Sequence, residues 1–412
     1  METFRFLHCA DLHLDSPLRG LEADPDAPAD KIRGATRDAF RALVSFAVSE
    51  KVDFVVAAGD LYDGDWQDWR TGHFLTGQVI RLEQAGIPFV AIRGNHDAAS
   101  VITRHLRHSW LLNEKKPETR RLENLPVSIH GQSFATAAVT DNLARDYPPP
   151  DPGRFNIGLL HSSVGEREGH DTYASCSVDQ LHAFGYDYWA LGHIHKQEIL
   201  ARDPWVVFPG NTQGRHIKET GPKGAMLVTV TGLRVTSIQP IPFDTVRWAR
   251  VELTLGREET EDDALTHVRT ALAREMEQAG DRLLAARVIL SGATAAHHAL
   301  TRDLSATREK IKAEAIAAGG HGVIWIEAVR VETSPPPVAV TGTGAFGRLL
   351  RALEDIDDAD ILDQITTYAN TMLDKSNHLK TALGSEHPAT NPEALKTLIA
   401  RARAMLPGAL TE

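Results

Sequence analysis

Cysteine is nearly absent. Cys9 and Cys176 are the only two among 412 residues, too few for a disulfide framework and without the spacing of a zinc site. A reducing cytoplasm is the expected compartment. Long apolar runs are missing as well. None approaches the ~18 residues of a membrane span, and Glu2 and Arg5 interrupt any signal-like core at the start, so neither secretion nor a membrane is expected. Positive charge is the third shortage. With 44 Lys and Arg against 55 Asp and Glu, the formal charge is −11, which argues against a broadly basic nucleic-acid coat. Phosphate contacts are then left to metals or local patches. One patch is residues 104–121, where Arg104, Arg107, Lys115, Lys116, Arg120 and Arg121 outnumber Glu114 and Glu118. It reads either as a solvated loop with a short helix or, since it follows a ligand-rich motif, as a substrate-contacting surface.

What remains is an ordinary globular composition, 42% hydrophobic and 24% charged, long enough for two or three domains. Residues 1–245 repeat one grammar: an apolar run, a polar cluster, then often a helical segment. Apolar runs at 4–10, 52–58, 87–92, 155–160 and 188–191 are strand candidates, with helices at 36–50 and 71–84 between them. Nearly continuous apolar strands imply sheets covered on both faces, hence an α/β architecture. From 203 to 243 shorter strands with turn signals suggest antiparallel strands completing a second sheet. Residues 246–333 read as a separate small α+β unit in β-α-β-α-β order, lacking ligand motifs and suited to capping a site. Ser334 and the prolines at 335–337 open a stiff linker, 334–340. Residues 341–412 carry short amphipathic helices that pack either on the chain's own core or on a partner.

Each early strand ends in potential metal ligands. These are Asp11 and His13, then Asp60 with Asp63, then Asn95, His96 and Asp97, then His161, and finally His193 and His195. Any one has a plain structural explanation. The ordered series at strand C-termini, where open α/β sheets place their sites, supplies donors for two adjacent divalent cations. Mixed carboxylate and imidazole donors suit manganese, iron or zinc better than calcium. Asp60 is the best bridge. Asp11, His13 and His195 complete one position; Asn95, His161 and His193 complete the other. His96 lies beside the metals, placed to protonate a leaving oxygen or stabilise developing charge. Asp97 is expected to orient His96, and Asp63 to support the Asp60 loop or hold a histidine. Arg104, Arg107 and Arg215 are candidate substrate-binding residues.

Over roughly residues 4–240 these motifs resemble the calcineurin-like metallophosphoesterase superfamily. The stretches 8–17, 209–216 and 219–224 are similar to its SbcD/YhaO-type DNA-repair exonucleases. The resemblance implies a four-layer α-β-β-α sandwich, two manganese ions and phosphodiester cleavage in DNA. It further implies a small capping domain, a C-terminal helical segment docking on an SbcC-like coiled-coil ATPase, and leaves homodimerisation open. Asp63 departs from the eukaryotic nucleases, which carry histidine there, so exonuclease details do not transfer. The competing readings are a small-molecule phosphodiesterase or phosphatase with the same dinuclear site, and a non-catalytic scaffold. Gly64-Asp65 after Asp63 and Asp97 in place of glutamate count against a protein phosphatase; the intact ligand series counts against a scaffold.

Overall fold

The computed structural model describes residues 2–16, 27–63, 69–99, 109–164, 176–336, 363–368, 391 and 395–396. It divides into two compact units. One comprises Met1–Arg250, Glu275–Ala286 and His321–Glu327; the other comprises Val251–Arg274, Arg287–Gly320 and Ala328–Glu412.

In the first unit, β1 (Thr3–Cys9), β2 (Phe54–Ala58) and β3 (Phe89–Ile92) alternate with α1 (Ala29–Ser49) and α2 (Trp69–Gln84). The strands pair in parallel, β1 with β2 and β2 with β3, as crossover helices between them allow. Helix α1 buries Ile32, Ala35, Ala39, Phe40, Leu43, Val44 and Ala47, an i, i+3, i+4 stripe that seats it on the sheet. A short α3 (Asn95–Ala99) follows β3. After it come β4 (Glu118–Arg121), β5 (Val127–Gly131), a 3₁₀ turn (Leu143–Asp146), β6 (Phe155–His161), α4 (Val178–Ala183) and β7 (Tyr188–Gly192). Then β8 (Glu198–Arg202), β9 (Trp205–Phe208), β10 (Gly224–Thr231) and β11 (Arg234–Pro242) complete two sheets, ordered β11-β10-β1-β2-β3 and β4-β5-β6-β7-β9-β8.

The two sheets pack face to face. Phe4, Phe6, Phe54, Val56 and Ile92 of one meet Ile129, Phe155, Ile157, Tyr188 and Val207 of the other in a single buried cluster. The outer face of the first sheet is covered by Phe40, Leu43, Leu75 and Val79 of α1 and α2. On the outer face of the second, Trp189, Leu191 and Phe208 pack with Leu181 of α4. The result is an α/β sandwich of mixed sheets flanked by helices, as expected from strands apolar along their whole length.

Two local expectations are corrected. The hairpin β10–β11 completes the first sheet, because β10 runs antiparallel to β1 from Thr3↔Thr231 to His8↔Met226; only β8 and β9 join the second. Turn residues announce a hairpin, but the sheet it joins depends on a partner more than two hundred residues away. Residues 118–121 form the edge strand β4 rather than a helix, paired with β5. Strand β5 is not announced by an apolar run, because Ser128 and His130 interrupt it. Both are buried, and each is satisfied, Ser128 by Asp151 and His130 by Thr119 and Asn156.

The chain continues through β12 (Val246–Thr254), α5 (Glu261–Ala279), β13 (Leu283–Ala293), α6 (His297–Arg302), α7 (Leu304–Gly319) and β14 (Ile324–Ser334), with the strands ordered β12-β13-β14. Val246, Trp248, Leu283, Ala285 and Trp325 belong to the first unit and are buried with Ile32, Ala35 and Ile217. In the second unit α5 starts on reciprocal bonds between Thr260 and Asp263, and Asp303 caps α7 through Ser305 and Ala306 N–H. Ser334, expected to open the linker, ends β14. Residues 363–368 are helical, as are 395–396, where Leu395 N–H donates to Asn391 O at 3.0 Å; the rest of the helices expected over 341–412 lies outside the described residues. Among the described residues, no helix is long and apolar enough to cross a membrane.

Candidate metal centre

Parallel pairing of β1 and β2 delivers their following loops to one edge, where they run side by side. Asp11 N–H donates to Gly59 O at 3.0 Å and His13 N–H to Asp60 O at 3.0 Å. Four residues of the expected ligand series hold left-handed backbone: Asp11 (φ 52°), His13 (41°), Asp60 (53°) and His193 (98°). Such conformations cost non-glycine residues about 1–3 kcal/mol each and persist where surrounding structure enforces them, typically at functional sites. Gly59 is required for a different reason. At φ +91°, a Cβ there would lie 2.6 Å from His161 Nδ1, so the strand end approaches the imidazole only without a side chain.

The side chains converge in three groups whose donor atoms lie within 4.8 Å of one another: Asp11, His13 and His195; His13, Asp60 and His96; Asp11, Asp60 and His161. Asp60 Oδ2 stands 3.7 Å from His13 Nε2 and 3.5 Å from His161 Nε2, between the two groups of nitrogen donors. Asn95 Oδ1 adds a further oxygen 3.0 Å from His161 Nε2.

Hydrogen bonds on the far side of each ring set its tautomer. His13 Nδ1 donates to Asp63 Oδ1 at 3.2 Å, His195 Nδ1 to Glu219 Oε1 at 2.7 Å and His161 Nδ1 to Ala58 O at 2.9 Å. Every Nε2 therefore carries a lone pair aimed inward. Burial keeps these imidazoles neutral. It lowers His161 to about 3 and His13 well below its ordinary value, the latter helped by the Arg215 charge, and lowers His195 against the opposing pull of Glu219.

A cation fits this arrangement. His13 Nε2 and His195 Nε2 are 3.1 Å apart, two lone pairs facing with no hydrogen between them. Asp11 and Asp60 are both fully buried, and burial followed by mutual repulsion raises Asp11 well above the carboxylate range; burial lifts Asp60 to about 6. Like charges and opposed lone pairs in a dry pocket are stabilised by positive charge among them. These His and Asp clusters are consistent with a dinuclear divalent-metal site.

Neighbouring residues take distinct places. His96, with its side chain 39% exposed, holds Nδ1 3.0 Å from Asp63 Oδ1. Although burial opposes it, the Asp63 bond and the Asp60 charge raise its pKa, favouring the protonated ring. The carboxylate on the His96 ring is thus that of Asp63. Asp97, expected in that position, accepts backbone N–H groups of Leu61, Tyr62 and Gly94 and ties two loops together. His193 donates its backbone N–H to both oxygens of Asp11, and its ring lies 5.3 Å from that of His161; the three groups do not include its side chain. Arg215 contacts Asp63 and Glu219. Arg104 and Arg107 lie outside the described residues. Glu219, which sequence reasoning did not assign, also accepts from Asn211 Nδ2 and Arg215 N–H. Its signal was present in the 219–224 stretch, but only the tertiary structure reveals its histidine.

Family comparison agrees with this geometry. The family described as calcineurin-like phosphoesterase matches residues 4–197, and that described as metallophosphoesterase YhaO, middle domain, matches residues 248–334. The chain is similar to the uncharacterized metallophosphoesterase YhaO of Bacillus subtilis strain 168, 40% identical over 240 residues, covering 55% of this chain and 57% of that protein. It is also similar to the DNA double-strand break repair protein Mre11 of Sulfurisphaera tokodaii, 26% identical over 259 residues (59% of this chain, 64% of that one). The Mre11 protein of Haloferax volcanii is 29% identical over 268 residues (62% and 56%). The chain spans between half and two thirds of the length of these relatives. Residues 4–197 carry a calcineurin-like metallophosphoesterase domain, and the chain is a homologue of the YhaO and Mre11 proteins.

Proposed function

We propose that the chain is a two-metal phosphodiesterase acting on DNA, an exo- or endonuclease of DNA repair working in the cytoplasm. The observation that carries the chemistry is Asp60 Oδ2 standing 3.5 and 3.7 Å from two inward-facing imidazole nitrogens. In this reading Asp60 would be shared between two cations, most suitably manganese. Asp11, His13 and His195 would hold one; Asn95, His161 and His193 would hold the other. The metal pair, when bound, supplies Lewis acidity and a water nucleophile for in-line displacement at phosphorus.

The residues around the pair do the rest. His96, its Nδ1 proton held by Asp63, presents a charged ring toward the site and delivers a proton to the leaving oxygen. Asp97 fixes the Asp60 loop against Gly94 and so keeps His96 in register. DNA as substrate is supported by the names of the Mre11 relatives and by the 8–17 and 209–224 stretches. In domain terms, 1–245 carries the chemistry, 246–333 caps it, 334–340 links, and 341–412 docks on an SbcC-like ATPase. Arg104 and Arg107 remain candidates for backbone phosphates.

The test is manganese-dependent hydrolysis of linear duplex and single-stranded DNA beside a generic phosphodiester and a phosphomonoester. DNA and diester cleavage are expected. Turnover of monoesters alone would sink the nuclease reading in favour of a phosphatase with the same core.

A further inference from the structure

We propose that Arg215 is a positioning residue for the metal pair, a single guanidinium that holds both histidine-orienting carboxylates at the spacing that aims His13 and His195 at one point. The inference rests on the two-metal reading above. Arg215 Nη1 lies 3.5 Å from Asp63 Oδ1 and Nη2 lies 3.4 Å from Glu219 Oε1. These are the same two oxygens that accept from His13 Nδ1 at 3.2 Å and His195 Nδ1 at 2.7 Å. The two imidazoles whose Nε2 atoms meet at 3.1 Å are therefore joined behind by one rigid fork. Asp63 Oδ1 also receives His96 Nδ1, so the proton-delivering ring shares the anchor.

The arginine is itself locked in place. Its backbone N–H donates to Glu219 Oε2 at 2.7 Å, and Asn211 Nδ2 reaches the same oxygen at 2.9 Å, closing the 211–219 loop around one carboxylate. Both ends of the guanidinium are occupied, Nε is buried without a partner, and the side chain is 15% exposed. That geometry suits a brace better than a group that greets a substrate phosphate. Lysine cannot reproduce it, because a point charge on a flexible stem cannot span two oxygens as a planar fork does.

The experiment titrates manganese into the full chain without substrate, by calorimetry, for the wild type, Arg215→Met and Arg215→Lys. In Arg215→Met one of two bound manganese ions is expected to weaken about 10–100-fold, the usual effect of losing a partner that orients a ligand, while the other is unchanged. Arg215→Lys should recover part of the loss by restoring charge without the fork, and near-ultraviolet circular dichroism of the metal-free variants checks folding. In a Glu219→Gln background, Arg215→Met should cost much less, since the pair acts as a unit. Variants that bind both ions like the wild type while KM for DNA rises would overturn the inference and make Arg215 a phosphate ligand. A wild-type chain that binds no pair of manganese ions would instead bring down the two-metal reading itself.

Discussion

Asp60 and His96 are neighbours in the site but separable in function. His96 N–H donates to Asp60 Oδ1 at 3.0 Å, while the Asp60 Oδ2 oxygen faces the nitrogen donors. Removing the carboxylate in Asp60→Ala takes away the proposed bridge, and manganese binding and turnover should be lost together. His96→Ala leaves Asp60, His13 and His161 in place. It should bind manganese nearly as the wild type does, with kcat lowered about 10²–10⁴-fold, the range of a missing general acid. Calorimetry paired with diester kinetics separates the two; loss of metal in His96→Ala would instead make the ring a ligand, as its grouping with His13 and Asp60 permits.

Strand β1 carries a histidine with a wholly different task. His8 is buried, donates Nε2–H to Leu191 O and accepts at Nδ1 from Tyr188 OH, bonding across the two sheets. Burial, opposed by the Leu191 bond, holds its pKa at about 3 against 6.5 for a free imidazole. Between those values the unfolded chain binds a proton that the folded chain refuses. Stability is therefore undiminished above pH 6.5 and falls as pH drops toward 3. His8→Phe should remove up to about 1.4 kcal/mol per pH unit from that slope. At neutral pH it should cost about 1–3 kcal/mol for each orphaned partner. Urea denaturation at pH 7 and 4.5 reads both effects, and an unchanged slope would show that His8 is not the titrating group. The same element explains why β1 tolerates histidine at all: a polar side chain in an otherwise apolar strand is admissible when both ring nitrogens are satisfied.

At the scale of the whole molecule, the proposed docking role of the C-terminal residues has a direct check. A chain ending at Ser334 keeps all the metal-site residues and β14, so it should hydrolyse a generic diester at the full-length rate but fail to co-purify with an SbcC-like ATPase. Retained binding would place the docking surface elsewhere. The negative formal charge of −11 gives the same proposal a physical rationale, since a chain poor in basic residues benefits from a partner that helps hold a polyanion.

The sequence by itself determined the α/β class, the five strand ends that carry Asp, Asn or His, and the chemistry of those donors. These are local facts: an apolar run followed by Asp, Asn or His keeps its meaning whatever else the chain does. It also marked the second α+β segment, whose expected β-α-β-α-β order recurs in β12, α5, β13, α7 and β14, with the short α6 added before α7. Only the tertiary structure decided where β10 and β11 pair, that Ser128 and His130 lie in a strand, and which carboxylate holds which imidazole. Asp63 rather than Asp97 bonds the His96 ring, and Glu219, twenty-four residues past His195, fixes that ring's tautomer. Such contacts depend on register and loop return across distant strands, and a sequence does not encode them position by position. Donor type is legible in a sequence because it is chemical; donor orientation is not, because it is geometric.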